Sequence, residues 1–390
     1  MKKAFSLLAA AIVIASAAAV LLSDDSSADE FTDSYLSQLD SDGRAFYSAL
    51  DNDGSSITSD SFTESQSIAG AYTITLTTTL TDDDGTLTTR EAESLLADAR
   101  QAWMVLKLTD PYAWLTWSYD DPDAAVYDES CITLSSSSAG AYIMVTVTVS
   151  STYYEVFTTT YSSPSAAVTA VEEAVSSVYS GLNIDSESDV DKVKDINAYL
   201  CGSDYQYDSD GANPYRSSVY GAFIESAKYD GYFTVLCSGY SLAFKALCEA
   251  AGVSCITVFG TAVQSSSSDL HAWNEVYIGG TVYAVDVTFN ATGSDETAYL
   301  CSGQNTAVDG VTFAQSHQAF TNPSDAGSGE TIDFCGMTLP SSYVLSESGY
   351  DWPTEESLSD ILIDIAPWIM TAIICLILVY VLLNIAKKGE

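Results

Sequence analysis

The chain has 390 residues, 47% of them hydrophobic, which is ample for one or two packed cores. Acidic residues outnumber basic ones 53 to 13, for a formal net charge of −40, and Lys2, Lys3, Lys387 and Lys388 place four of the basic residues at the termini. Such a surface repels phosphate backbones, so no nucleic acid is expected as a partner. It reads as a solvated acidic coat suited to a salty or extracellular setting.

In chain order, the first element is a secretory signal over residues 1–28. Lys2 and Lys3 form its charged start, Ala4 to Leu22 is apolar and Ala-rich, and Ser26-Ser27-Ala28 offers small residues for cleavage. An uncleaved anchor is the alternative. Phe31 to Leu50 has the spacing of one helix carrying Leu36, Leu39, Phe46 and Leu50. Tyr72 to Leu80 alternates as a strand and ends in a turn over Asp82 to Gly85. A helix over Arg90 to Leu106, a short aromatic strand over Trp114 to Tyr119 and a strand over Ile143 to Val149 follow. Ser163-Pro164 opens a helix along Ala167, Val168, Val171, Val175 and Val178. Asn183 to Asp189 reads as a linker.

The next stretch carries the chemistry. Cys237 opens a helical segment that Gly252 ends, and a cysteine at a helix N-terminus gains from free N–H groups that favour thiolate over thiol. Val253 to Gly260 reads as a strand, Gln264 to Asp269 as a Ser-rich loop, and His271 starts the next strand. Gly279-Gly280 then makes a hairpin turn into a strand over Val282 to Thr288. Residues whose numbers sum to about 559 pair across that hairpin, so Asp286 is expected opposite Trp273, close to His271. Sulfur to attack, imidazole to take its proton and carboxylate to orient the imidazole are the three types thiol chemistry needs. Cys237 as nucleophile, His271 as base and Asp286 as orienting acid are therefore the candidate catalytic residues. The backbone N–H of Cys237 is the natural oxyanion donor, with a second from a side chain between Tyr220 and Tyr232. Trp273 and Asn274 are expected to shield the site or to pack. His317 is expected at the surface or behind the site, where its removal leaves activity intact.

Eight cysteines occur. Cys375 falls in a C-terminal apolar run; Cys131, Cys201, Cys237, Cys248, Cys255, Cys301 and Cys335 fall outside it. An odd number in an oxidising compartment leaves at least one thiol free or paired between chains, and if one is a nucleophile the other six allow up to three disulfides. Cys248 and Cys255 are placed to be either a short disulfide or two buried thiols. With two histidines and no CxxC pair, no cysteine–histidine zinc site and no cofactor are expected. Asn290-Ala291-Thr292 is a glycosylation sequon. Ile365 to Ala386 runs 22 residues without a charge, long enough to cross ~30 Å of hydrocarbon. Lys387-Lys388 behind it and acidic residues before it put the C-terminus in the cytoplasm and the large domain outside.

The segments VLCSGYSLAFKALCEAAGVSCITVFG, HAWNEVYIGG and VYAVDVTFN resemble the three motifs of the transglutaminase-like superfamily: C-x-G-Y with its helix, H-A-W-N-x-V, and W-Y-x-V-D-x-T-[WF]. The order Cys, His, Asp and the gaps of 34 and 15 residues also match. VDKVKDINAYLCGSDYQYD is similar to the helix and loop before the cysteine in microbial members. Val235-Leu236 and Val282 depart from the usual Gly-Val and Trp. The resemblance covers roughly residues 190–292. It implies an α+β, papain-like core in which a helix bearing the cysteine packs on an antiparallel sheet bearing His271 and Asp286.

The expected organisation is a signal (1–28), an N-terminal α+β region (29–182), a transglutaminase-like domain (183–345), a stalk (346–364), a transmembrane helix (365–386) and a cytoplasmic tail (387–390). The expected function is that of a membrane-anchored extracellular thiol enzyme acting on a peptide or protein substrate at the cell surface, as a peptidase or amidase. A protein cross-linking transglutaminase and a non-catalytic binding module on the same fold are the alternatives.

Overall fold

The spacing that predicts one helix over 31–50 folds as two: α1 (Glu30–Leu36) and α2 (Ser41–Asp51). The break falls at Asp40, whose carboxylate accepts the N–H groups of Asp42 and Gly43 at 3.0 and 2.9 Å and so starts a new helix. Phe31, Tyr35, Leu39 and Phe46 are buried, and both helices pack on α3 (Thr89–Thr109). α3 begins in a capping box: Glu91 N–H donates to Thr88 Oγ1, and the Glu91 carboxylate accepts from Thr88 N–H. This computed structural model describes residues 30–51, 62–66, 71–81, 88–112, 132–139, 142–152, 164–211, 213, 215–224, 231–264, 267–319 and 344–352. The expected signal, the turn at 82–85, the aromatic strand at 114–119 and the span at 365–386 lie outside these residues. Among the described residues no helix is long and apolar enough to cross a membrane.

An antiparallel sheet of four strands follows α2, in the order β1 (Phe62–Gln66), β2 (Ala71–Thr81), β4 (Tyr142–Thr152), β3 (Ile132–Ala139). The two central strands are those that alternate in sequence. The outer two, FTESQ and ITLSSSSA, lack a sustained apolar alternation, so pattern alone does not find them. α4 (Pro164–Leu182) starts at its proline and buries Ala167, Val168, Val171 and Val175. Asn183 turns through the left-handed region at φ 59°, and Ser188 caps α5 (Asp189–Leu200).

The short parallel pair β5 (Tyr205–Tyr207) and β6 (Phe233–Val235), with α6 (Val219–Phe223) between them, leads into α7 (Cys237–Ala250). Every residue of α7 from Gly239 to Cys248 is buried, with α4, α5, α6 and the strands β7 (Cys255–Gln264) and β8 (Ser267–Ile278) packed around it. Even Lys245 is inside. Its ammonium donates to Glu249 at 2.5 Å and to the Cys255 carbonyl at 3.0 Å, and these partners outweigh the burial that opposes its charge.

The main sheet is antiparallel, in the order β12 (His317–Ala319), β7, β8, β9 (Thr281–Val285). Its hairpin register agrees with the expectation, since Asn274 lies opposite Val285 and Ile278 opposite Thr281. Two expectations fail beside it. Gln264 to Asp269 is not a free loop, because β7 and β8 continue pairing up to Gln264 and Ser267. β9 stops at Val285 rather than Thr288, and Asp286 caps a short helix, α8 (Val287–Thr292). Beyond α8 come the hairpin strands β10 (Ala307–Val308) and β11 (Val311–Thr312) and the single turn α9 (Phe313–Ser316).

The described residues up to Gly349 form one compact unit, and Tyr350 begins a second. The start of the expected stalk belongs to the first unit: Ser346 N–H donates to Val282 O at 2.9 Å, and Gln304 N–H donates to Ser346 O at 2.7 Å.

Candidate active site

Cys237 is the first residue of the buried helix, half-buried itself, so its sulfur sits at the positive end of α7. The helix is seated tightly there. A Cβ on Gly239 would run into the Arg216 carbonyl oxygen and would lie 2.9 Å from Val235 Cβ, which accounts for the glycine in C-x-G-Y. Asn274 ties the helix to the sheet, its Nδ2 donating to Ser241 O at 3.0 Å and to Ile256 O at 3.2 Å. Asn274 thus holds the scaffold together, and Trp273 beside it is a buried packing residue.

His271 lies on β8 opposite Gly260, and its ring is a hydrogen-bond partner of the Cys237 thiol. Its Nε2 donates to Asp286 Oδ2 at 2.7 Å. The structure therefore brings Cys237, His271 and Asp286 together. Asp286 reaches this place from the first turn after the strand and not from within it. Its Oδ1 accepts the Phe289 N–H at 2.9 Å, so the helix it caps also fixes its plane.

Burial alone would lower the proton affinity of His271. The Asp286 charge and hydrogen bond, and then Cys237, outweigh it and push His271 up to about 10. For Asp286, burial would raise the value, but the charge and hydrogen bond of His271, together with His317, hold it well below the usual carboxylate range.

Of the two places expected for His317, the structure gives the one behind the site: it is buried, and its Nε2 donates to the same Asp286 Oδ2 at 2.9 Å. Nothing local in the sequence marks it; its scarcity as one of two histidines is the one signal available. His271, Asp286 and His317 offer nitrogen and oxygen atoms within 4.8 Å of one another. Oδ2 already takes a hydrogen bond from each imidazole at 2.7 and 2.9 Å, so a cation would have to displace both. The set is arranged as a hydrogen-bonded group.

A cleft of about 250 Å³ opens beside His271, lined by Tyr207, Ala262, Asp269, Leu270, Thr288, Phe289 and Thr292. Tyr207 comes from β5 and has no role assigned to it from sequence. Tyr220 is buried edge-to-face against Tyr215, with ring centroids 5.0 Å apart, so it serves the core. The Asn290 side chain is fully buried, donating to Asn197 Oδ1 at 2.8 Å and accepting the Tyr299 N–H at 2.8 Å. The sequon is thus closed to glycosylation in the folded chain. Among the described residues Cys201, Cys237, Cys248, Cys255 and Cys301 are thiols, and Cys248 hydrogen-bonds Cys255.

The sequence model described as the Transglutaminase-like superfamily matches residues 177–287, from the end of α4 to the start of α8 and across all three candidate residues. Residues 177–287 are a transglutaminase-like domain. The chain is 29% identical over 137 residues to kyphoscoliosis peptidase of Mus musculus, a match covering 33% of this chain and 20% of the peptidase. The chain thus spans about a fifth of that relative's length. Among solved structures, similarity extends to a TGase (16% identity, 45% of this chain and 50% of that one, TM-score 0.27). It extends also to a proposed cysteine protease from Cytophaga hutchinsonii (16% identity, 40% and 62% of the two chains, TM-score 0.24). The transglutaminase-like domain is α+β with an antiparallel sheet, as expected, except that its aspartate stands just past the sheet edge.

Proposed function

We propose that this chain is a cell-surface thiol hydrolase that cleaves peptide or side-chain amides. The observation that carries the reading is the line from Cys237 at a helix N-terminus through His271 to the buried Asp286, beside an open cleft. In the reaction, Cys237 Sγ attacks the amide carbonyl carbon. The carbonyl oxygen takes the negative charge against backbone N–H groups at the head of α7. His271 then gives its proton to the departing amine as the C–N bond breaks, leaving an acyl-thioester. Water, losing a proton to His271, attacks that thioester and releases the acid and the thiol.

Hydrolysis is preferred to transamidation because the curated relative is a peptidase. The cleft wall is apolar at Tyr207, Leu270 and Phe289 and carries one carboxylate, Asp269. It suits apolar or basic side chains next to the scissile bond and disfavours acidic ones. The N-terminal signal and the C-terminal apolar run support a membrane-anchored chain with this domain outside.

The test is to incubate the full chain, in detergent, with a peptide library, with and without an added primary amine. Cleaved peptides, and none from Cys237→Ala, support the reading. Amine-conjugated products in place of cleavage would make the chain a transamidase. Full activity of Cys237→Ala would overturn the thiol mechanism.

A further inference from the structure

We propose that His317 is a positioning residue for the acid–base step: its Nε2–H, given to the oxygen that also serves His271, fixes the Asp286 carboxylate and draws off part of its charge. The inference rests on the hydrolase reading above. Asp286 is fully enclosed and receives three N–H donors, from Phe289 on Oδ1 and from His271 and His317 on Oδ2. One donor per oxygen would be enough to hold its plane. The third is supplied by a separate segment, 46 positions after His271 in the chain.

That segment is built to hold one imidazole. β12 pairs with β7, with His317 opposite Ala262 and Ala319 opposite Gly260. A Cβ on Gly260 would strike the Gln318 carbonyl oxygen, so the glycine lets β12 approach. The His317 ring lies flat on Phe313, with centroids 3.9 Å apart and planes 2° from parallel. Trp273 stands across it at 5.2 Å and Tyr299 at 5.6 Å. Ser316 Oγ sits 2.8 Å from its Nδ1, so both nitrogens are anchored and Nε2 is aimed at the carboxylate.

The chemical consequence follows from sharing. A carboxylate oxygen that accepts two hydrogen bonds is a weaker base toward each donor. His271 must release its proton to the departing amine, and a carboxylate held by His271 alone would retain that proton more firmly. Asp286 already drives His271 far up, so moderation by His317 favours turnover. Among the described residues the other titratable groups that face this carboxylate are Cys201, after α5, and Tyr299, after α8; Cys237 on α7 reaches it through His271.

The test uses the full chain, following kcat and KM on a cleavable peptide. It also follows the pH dependence of iodoacetamide alkylation, read on the Cys237 peptide by mass. In His317→Ala, kcat falls about tenfold, one decade of the roughly 10²–10⁴ that a positioned acid–base group supplies, with KM unchanged. The alkaline limb of alkylation, where His271 gives up its proton, moves to higher pH. His317→Gln, which keeps an N–H donor, returns the limb toward wild type and recovers most of kcat. Should His317→Ala fold poorly, Ser316→Ala loosens the same ring and shifts the limb in the same direction. An unmoved limb with wild-type kcat, or equal loss in Ala and Gln with an unmoved limb, overturns the proposal and leaves His317 a packing residue. Activity lost on chelation and restored by zinc also overturns it, in favour of a metal cradle. Both results presuppose an inactive Cys237→Ala; activity there removes the hydrolase reading instead.

Discussion

His271 and Asp286 stabilise one another over a pH window that their opposed shifts define. The raised value of His271 contributes stability that is complete below its ordinary 6.5 and is lost as pH rises through about 10. The lowered value of Asp286 contributes stability that is present above its ordinary 3.8 and is lost as pH falls. Asp286→Asn should therefore be most destabilised relative to wild type near about pH 5–6, with the difference shrinking toward pH 10. Urea unfolding at three pH values measures this, and a constant difference across them would contradict it. The same variant should keep a remnant of activity, because an amide still orients the ring, whereas His271→Ala should keep none. Cys237→Ala and the double variant with His271→Ala should be equally inactive, since residues that act as a unit do not lose activity additively.

Elements explain why parts of this arrangement were legible in sequence and others were not. The hairpin register is set by Gly279-Gly280 and by alternation, both local, so Asn274 opposite Val285 could be read in advance. The end of β9 could not, because VYAVDVT alternates smoothly through Asp286 while the backbone turns there to let its carboxylate cap α8. The bond from His317 to Asp286 was illegible for a different reason: it is made through β12, whose pairing with β7 spans more than fifty residues and leaves no local periodicity. Gly239 shows a motif residue with a steric cause. Gly239→Ala should displace the head of α7 and with it the sulfur, lowering kcat/KM well beyond any loss of stability, as paired turnover and unfolding measurements would register. Glu275 on β8 tests the sheet. Burial alone pushes its carboxyl up from 4.5 to about 7, so the stability linked to its protonated form is present below 4.5 and lost as pH rises through 7. Glu275→Gln should match wild type near about pH 4 and exceed it at about pH 8. Equal stability at the higher pH would show that the charge is well solvated there.

At the scale of the whole molecule, charge and chain ends bear on where this chemistry takes place. With 53 acidic residues against 13 basic ones and a net charge of −40, carboxylates outnumber cations about four to one, and solvent and salt screening reduce their mutual repulsion. A salty exterior provides both; at 0.15 M salt the screening length is about 8 Å. The proposed topology gives the domain that exterior. In that proposal, Lys2 and Lys3 before an apolar run would direct export, and 22 uncharged residues followed by Lys387-Lys388 would stop transfer with the lysines inside. Protease added to intact cells should then remove the bulk of the chain and leave a small membrane-protected fragment containing Lys387 and Lys388. Replacing those two lysines by glutamate, and so removing the positive cytoplasmic flank, should increase the fraction protected from digestion. A bulk domain that is protected in wild-type cells while the membrane is sealed, and becomes digestible only when detergent opens it, would place Cys237 on the cytoplasmic side. It would also replace a cell-surface substrate by an internal one, while leaving the hydrogen-bonded group around Asp286 as it stands.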